Sequence, residues 1–474
     1  MMKRMMYGLA ALLLCAGCSV YKEYQRPSLP ELEGLYGAAG GDLASAAGGM
    51  AEGDSAAVAD AVAEDDSASV AALGWREFFT DPLLQELIAR GLENNPQVRI
   101  ASQRVVEAEA SLRAARMALL PTLGLSPSIS FGQSEVRYGG SALGYGISPA
   151  AGWEVDLRGS LTNARRKALA AYERSGVWHR SVRTGLIASI ARAYYTLQML
   201  DAKLAISRQT ADSWKENVRI MRAMKEAGMT NEASVAQTEA NALSIEASLF
   251  DLEYQARQVE NSLCLLLGET PHRVERSAFD PSAFTLDLQT GMPAGLLARR
   301  PDVQMAEQDL RMAFYDTQIA RAAFYPALRL NGAYGWEKAL TSPAGLLLSL
   351  GASVAEPLLD GGRRRANLTI ARARQEEAAI AFHNSLMAAG AEVNDAVAKC
   401  LAAQGKTDLR IRQIADLRSA VASTQQLMHN SGATYLEVLT AQQSLLSAEL
   451  QQVGDRYDYI DGLISLYRAL GGGE

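Results

Sequence analysis

Nucleophiles, general bases and metal ligands are scattered too widely in this chain to build a reaction centre. The four cysteines are Cys15, Cys18, Cys264 and Cys400, and the four histidines are His179, His272, His383 and His429. Cys264 and Cys400 stand alone inside helical patterns, and no cysteine–histidine cluster offers the ligand set of a metal site. The chain also lacks a GxSxG elbow, a Walker A loop, an HExxH pair and any plausible catalytic triad. We therefore expect no catalytic residues, no metal and no enzymatic activity.

One residue is placed for a different chemistry. Lys3 and Arg4 form a basic start, Gly8 to Leu14 an apolar run too short to span a bilayer, and Cys15-Ala16-Gly17-Cys18 follows. Small residues just before a cysteine resemble a lipobox, although Cys15 stands where leucine is usual. Cleavage before Cys18 would remove residues 1–17 as a lipoprotein signal peptide. The Cys18 sulfur would then carry diacylglycerol and the new amine an acyl chain (a palmitate-type anchor), the only covalent group expected and no other cofactor. Each buried CH₂ contributes roughly 0.8 kcal/mol, so several chains anchor the N-terminus firmly. The alternative is an ordinary secretory signal with an incidental cysteine. Ser19, rather than aspartate, follows Cys18 and points to the outer membrane.

Composition limits the rest. The 474 residues carry a net charge of −7 with both signs dispersed, which gives no basic footprint for nucleic acid. Aromatics are only 7%, and Ala, Leu, Gln, Glu and Arg dominate long stretches, the composition of long helices. Residues 18–74 form an N-terminal segment with a low-complexity tract from about Gly37 to Ala72. Its Ala, Gly, Ser, Asp and Glu bury too little apolar area to offset ordering entropy, so it reads as a linker or surface insertion.

The folded body opens at Trp75, and its organising feature is a duplication. Pro96, Val98, Ala101, Gln103, Ala115, Arg116 and Pro121 each recur 205 residues later, as Pro301, Val303, Ala306, Gln308, Ala320, Arg321 and Pro326. Gly159 and Val235 recur after 203 residues, and Gly228 after 204 as Gly432. A period near 200 is too long for a solenoid unit. It defines two halves, 75–290 and 291–474, each running helix, strand, strand, long helix, long helix.

Proline placement marks the helices. No proline lies between Pro149 and Pro271 or after Pro357. Helical periodicity covers 160–227, 230–267, 363–431 and 435–470. The first of these would reach roughly 100 Å at 1.5 Å per residue, far more than a compact core requires. Length-matched pairs imply hairpins turning at Gly228-Met229-Thr230 and Gly432-Ala433-Thr434, with glycine ending one helix and threonine capping the next.

The strands alternate with period two. Leu123, Leu125, Ile129 and Phe131 share one face, opposite Thr122, Gly124, Ser126, Ser128 and Ser130. The second copy sets Leu328, Leu330, Tyr334 and Trp336 against Arg329, Asn331, Ala333 and Gly335. Tyr145, Ile147, Ala151, Trp153 and Val155, and then Leu346, Leu348, Leu350, Ala352 and Val354, form the other two apolar faces. Strands at about 122–134, 143–156, 327–338 and 346–357 suit a transmembrane barrel. A small soluble sandwich would explain the strands alone. Four strands cannot close by themselves, and an open edge in hydrocarbon leaves backbone groups unpaired at several kcal/mol each. More than one chain must therefore share the barrel.

Several motifs now carry a resemblance: Cys18-Ser19 with Tyr24-Gln25-Arg26-Pro27, the run Trp75 to Leu84, Asn94-Asn95-Pro96, and Trp153-Glu154-Val155-Asp156-Leu157. Arg299-Arg300-Pro301-Asp302-Val303, Ala322-Ala323-Phe324-Tyr325-Pro326, Asp360-Gly361-Gly362-Arg363 and the closing run Leu466 to Gly472 complete the set. In this order on a duplicated frame they resemble the outer-membrane efflux protein family of TolC-like channels. The nearer match is the OprM-type lipoprotein branch of RND efflux outer-membrane factors.

The resemblance implies a mainly α fold with transmembrane β. As a homotrimer it would form a 12-strand β-barrel on a 12-helix periplasmic α-barrel. It implies a passive exit duct in the outer membrane, among its lipids and reaching into the periplasm. There it would serve a periplasmic adaptor (membrane fusion) protein and an inner-membrane RND-type transporter exporting small molecules and drugs. Leu436, Glu437 and Thr440 match the family's periplasmic gate. Leu436 matches an apolar ring and Glu437 an acidic one, while Thr440 replaces a common aspartate. Gly228, Thr230, Gly432 and Thr434 fall at the adaptor-docking tips. For these residues coiled-coil packing, a solvated face and turn geometry are the alternatives. For the whole chain the alternatives are a type I secretion or metal-efflux duct and, in another class, a periplasmic scaffold lipoprotein without a channel.

Overall fold

The computed structural model describes residues 24–25, 74–134, 140–280, 300–339, 345–355, 360–429 and 435–472. Cys18, the 37–72 tract, Gly432 and Thr434 lie outside them. In chain order the elements are α1 (Trp75–Phe78), α2 (Pro82–Asn94), α3 (Pro96–Met117), β1 (Thr122–Ser134), β2 (Gly140–Val155), α4 (Ser160–Glu226) and α5 (Glu232–Leu267). The second half supplies α6 (Pro301–Ala322), β3 (Ala327–Ala339), β4 (Gly345–Ala355), α7 (Arg363–His429) and α8 (Tyr435–Ala469). The duplication is visible in the lengths: α3 and α6 have 22 residues each, α4 and α7 have 67 each, and α5 and α8 have 36 and 35.

Local chemistry sets the boundaries. The Asp81 carboxylate accepts from the Leu83 N–H at 2.9 Å and Pro82 opens α2. Asn95 closes α2 and, through its side-chain oxygen, accepts from Gln97 N–H at 2.8 Å to start α3. At the start of α4, Asp156 accepts from Leu161 and Thr162, and Asp360 does the same work for Gly362 and Arg364 at α7. Gly268, which ends α5 at φ +72°, admits no other residue readily. A Cβ there would stand 2.7 Å from the Asn94 carbonyl oxygen.

The residues divide into two compact units that cut across the duplication. The first comprises Met1–Pro30, Ser102–Trp178 and Gln304–Ser385. It holds one antiparallel sheet of order β1-β2-β3-β4. Thr122↔Gly152, Val155↔Leu328 and Ala327↔Ala355 fix its three registers. Those registers bring the predicted apolar residues onto one face: Leu123 lies opposite Ala151, Trp153 opposite Leu330 and Tyr334 opposite Leu348. That face is bare, with Leu123, Ile129 and Leu350 exposed at 85%, 77% and 82%. Glu154 and Arg329 pair across the other face at 3.1 Å. In the same unit α4 is braced to α6 by Lys167–Asp316, Arg174–Asp309 and Glu173–Arg311.

The second unit comprises Glu31–Ala101, His179–Val303 and Leu386–Glu474. Its core joins α1 and α2 to both long hairpins. Phe79, Leu84 and Ile88 pack with Ile190, Tyr194, Leu263, Leu267, Ile464 and Tyr467, all essentially buried. The Tyr467 ring sits 4.9 Å from that of Phe78 and 5.6 Å from that of Phe79. Thus Trp75 to Leu84 and the C-terminal Leu-Tyr-Arg-Ala-Leu run, far apart in sequence, meet in one cluster. Arg300 locks the start of α6 into this unit, reaching Asp302, Glu392 and the carbonyls of Ala389 and Ala469.

Among the described residues no helix is long and apolar enough to cross a membrane.

Candidate functional site at the hairpin ends

The first hairpin turns as expected at Gly228, but with a different cap. Gly228 adopts φ +70°, and Met229 N–H reaches back to the Met224 carbonyl at 2.9 Å, closing α4. Asn231, not Thr230, caps α5: its side-chain oxygen accepts from Ser234 N–H at 2.9 Å. Threonine is the expected cap, but the bend between the helices runs on through Thr230 and the next helix starts at Glu232. Asparagine is at least as good a cap.

From this turn upward, α4 and α5 are cross-linked by ion pairs at seven-residue intervals. Arg222 pairs with Glu239 at 2.8 Å, Lys215 with Glu246 at 2.9 Å and Arg208 with Glu253 at 2.6 Å. Lys225 and Glu232 pair at the turn itself. A seven-residue step keeps each pair on the same seam of two antiparallel helices.

The second hairpin is built differently. Its cross pairs lie at Arg410–Asp455, 3.0 Å, and Arg418–Glu449, 2.8 Å. Beyond them toward the turn, no ion pair joins α7 to α8 among the described residues. The sequence explains this, since between Arg418 and Glu449 the only carboxylate is Glu437 and no lysine or arginine occurs.

The first turns of α8 carry the three predicted gate residues. Leu436 is 66% exposed, and Glu437 and Thr440 are also exposed. Thr440 donates its hydroxyl to the Leu436 carbonyl at 2.8 Å, one helical turn back. At about 100° per residue, these three occupy roughly a quarter of the helix circumference, and Val438 and Leu439 fall on the other side. Both are buried. Leu439 packs on Trp214 of α4 and Ala242 of α5, a small cluster distinct from the main core, and Asn217 donates to Gln442 at 2.9 Å. The first hairpin therefore grips one face of α8 and leaves the Leu436–Glu437–Thr440 face uncovered.

Further from the ends, Asp461 of α8 accepts from both Arg192 of α4 and Lys399 of α7. Burial opposes its charge, but hydrogen bonds from Lys399 and Arg192 outweigh that and hold the carboxyl below its usual range. Arg192 also donates to Ser465 at 3.2 Å. The sequence gives no signal for this triad, because its members stand 62 and 269 residues from Asp461 on two other helices. Nor does it signal the Trp214–Leu439 contact. The ladder, by contrast, had a visible signal in the spacing of Arg208, Lys215 and Arg222 against Glu239, Glu246 and Glu253.

Comparison with known proteins agrees with this duplicated helix–strand architecture. The family model for the outer membrane efflux protein matches residues 87–269 and again 293–472, once per half. The chain belongs to the outer membrane efflux protein family. The cation efflux system protein CusC of Escherichia coli O6:H1 is 25% identical over 466 residues, covering 97% of each chain. The solvent efflux pump outer membrane protein SrpC of Pseudomonas putida is 29% identical over 491 residues, covering 98% of this chain and 97% of its own. The crystal structure of VceC from Vibrio cholerae superposes with a TM-score of 0.77 at 26% identity, over 84% of this chain and 98% of that one. As a family member the protein is an outer-membrane efflux channel, a non-enzymatic duct of a tripartite efflux system that extends into the periplasm. It joins a β-barrel to an α-helical barrel.

Proposed function

We propose that three copies of this chain form the duct, each supplying four strands to a 12-strand barrel and four long helices to a 12-helix tunnel. The observation that carries this is the open sheet. Its apolar face is bare, and β1 and β4 are edges with no strand beyond them among the described residues. In hydrocarbon such edges must be paired, and a neighbouring copy's sheet supplies the complement. In this reading the duct is passive. Small molecules reach it from an inner-membrane RND-type transporter through a periplasmic adaptor. Gly228, Thr230, Gly432 and Thr434 mark the tips that meet the adaptor. CusC is named for cations and SrpC for solvents, so metal efflux remains the competing cargo. Cys18 carries the lipid anchor in this proposal, and the segments 18–74, 75–290 and 291–474 are its working divisions.

The gate lies at the second hairpin. Leu436 and Glu437 project from the uncovered face of α8, so three copies brought around one axis would set three leucines and three carboxylates facing a narrow pore. Leucines there resist wetting and carboxylates favour cations. Single-channel conductance of purified protein in planar bilayers tests this. We expect a small, cation-favouring conductance that rises in Leu436→Ala/Glu437→Ala. Equal conductance in both proteins would remove the gate from this position. Absence of conductance from folded oligomer would favour a scaffold lipoprotein.

A further inference from the structure

The exposed face of the sheet is not uniform. Where β2 meets β3, Ala151 lies opposite Gly332, and Gly332 in turn lies opposite Leu350 on β4. One step toward the strand ends that adjoin the helices, Trp153 lies opposite Leu330, and Leu330 opposite Ala352. Small residues between large ones leave an apolar groove of about 510 Å³, lined by Ala151, Trp153, Leu330, Gly332, Leu350 and Ala352 among others. The indole of Trp153 is fixed at its wall by donating to the Leu119 carbonyl at 3.0 Å. The groove is centred on β2 and β3 and bounded by Leu350 and Ala352 of β4, and backbone pairing at the β1 and β4 edges leaves its outward face open.

A cation stands at the foot of the same seam. Val155 pairs with Leu328, and just past these ends Arg158 stacks on the ring of Tyr325 with its guanidinium carbon 4.7 Å from the centroid. Arg158 is half-buried and forms no ion pair among the described residues. The duplication does not account for it: Leu120 occupies the position of Tyr325 in the first half, and Gly361 that of Arg158 in the second. The pair occurs once per chain, below the groove. Four strand residues, about 14 Å at about 3.4 Å each, separate Ala151 from the strand end at Val155, and Arg158 lies three residues beyond it, so groove and guanidinium fall within the length of one extended phospholipid. Ring stacking holds the guanidinium plane while leaving N–H donors open to bidentate pairing with a phosphate.

We infer that the β2–β3 seam is a binding site for one anionic phospholipid of the inner leaflet, its phosphate on Arg158 and an acyl chain in the groove beside Trp153. This rests on the outer-membrane placement of the sheet, with the helices on the periplasmic side. The stacked guanidinium, which has no ion-pair partner among the described residues, selects the anionic headgroup, and the helix-proximal position selects the inner leaflet. Tryptophan and tyrosine are at home at that level of a bilayer.

Native mass spectrometry of the full chain, purified in detergent and supplied with phosphatidylglycerol or phosphatidylethanolamine, tests the assignment. Wild type should retain phosphatidylglycerol in preference, and Arg158→Gln should lower its retention roughly tenfold, the loss of one charge-assisted contact. Arg113→Gln, which removes an exposed arginine on α3, should leave retention unchanged. Ala151→Leu fills the groove without touching Arg158 and should weaken retention too. It decides the matter if the Arg158 variant fails to assemble. Equal retention by wild type and both variants would overturn the site while leaving the lipid-facing sheet intact. A folded wild type that holds neither lipid would overturn the placement of the sheet itself. Retention that appears only in Cys18→Ala would give the groove to the chain's own acyl anchor and overturn the proposal.

Discussion

The two long hairpins descend from one duplicated segment and match in length to within a residue or two, yet they are held together by different forces. The first is laced by ion pairs at every heptad down to its turn. The second carries cross pairs only as far as Arg418–Glu449. Beyond that point α8 is held by the packing of Leu439 against Trp214 and Ala242 and by the Asn217–Gln442 hydrogen bond, with Trp214, Ala242 and Asn217 all supplied by the first hairpin. One hairpin is thus self-sufficient and the other leans on it. The gate proposed at the second hairpin needs one stationary and one movable element, and low local stability is the usual source of the movable one. Hydrogen exchange should show the difference directly, with α8 near Tyr435 exchanging faster than α5 near Glu232. The reverse order would reverse the roles.

The largest expected effect comes from removing the support. Trp214 is 2% exposed and is among the largest fully buried side chains. Trp214→Ala deletes the surface that Leu439 rests on, at a cost of about 3–5 kcal/mol where a large aromatic is lost from a packed site. The loss should fall mainly on the second hairpin. We expect proteolysis within the start of α8 to accelerate and channel conductance to rise, while protection of α5 changes less. If both hairpins lose protection equally, the first is not self-sufficient.

A smaller effect is expected at Asp461, where α8 is tied to α4 and α7 together. Asp461→Asn leaves two cations without their counter-charge and should cost about 1–3 kcal/mol. Because the folded state holds this carboxyl below its ordinary value, its contribution is fully present above the unfolded value of about 3.9 and is lost as pH falls through the lower folded value. Wild type should therefore shed this increment only below about pH 4, and the variant should lack that part of the acid transition. Thermal unfolding of both proteins between about pH 2 and about pH 5, which brackets the loss below about pH 4, checks the sign.

Much of this architecture can be read from residues alone, for identifiable reasons. The sheet is legible because period-two alternation survives unchanged through the registers that pair Leu123 with Ala151 and Tyr334 with Leu348. The long helices are legible because proline is absent and two copies agree. The proposed gate face is only partly legible. Sequence placed Leu436, Glu437 and Thr440 by resemblance, but nothing local to α8 reveals that Trp214, more than 200 residues earlier, covers the opposite face. The Asp461 triad and the Arg158–Tyr325 stack share that character: each depends on which distant elements become neighbours. The cap at Asn231 was missed for a smaller reason, a turn one residue longer than the Gly–Met–Thr run suggested.

The smallest effect should come from the ladder itself, and its smallness is informative. The pairs Arg208–Glu253, Lys215–Glu246 and Arg222–Glu239 are surface pairs, largely screened by solvent and salt, and each alone contributes little. Their value lies in repetition along one seam. Replacing Glu239, Glu246 and Glu253 together with glutamine preserves size and helix propensity while removing these three charge attractions between α4 and α5. Exchange at the end of the first hairpin should rise by roughly two- to threefold at low ionic strength, and high salt should erase the difference from wild type. The contrast between the hairpins would then narrow only when charge is unscreened. A salt-independent change of the same size would mean that the glutamates act through packing of their stems rather than through charge. No change at any ionic strength would transfer the stability of the first hairpin to its apolar seam, leaving the ladder as a consequence of the fold rather than one of its causes.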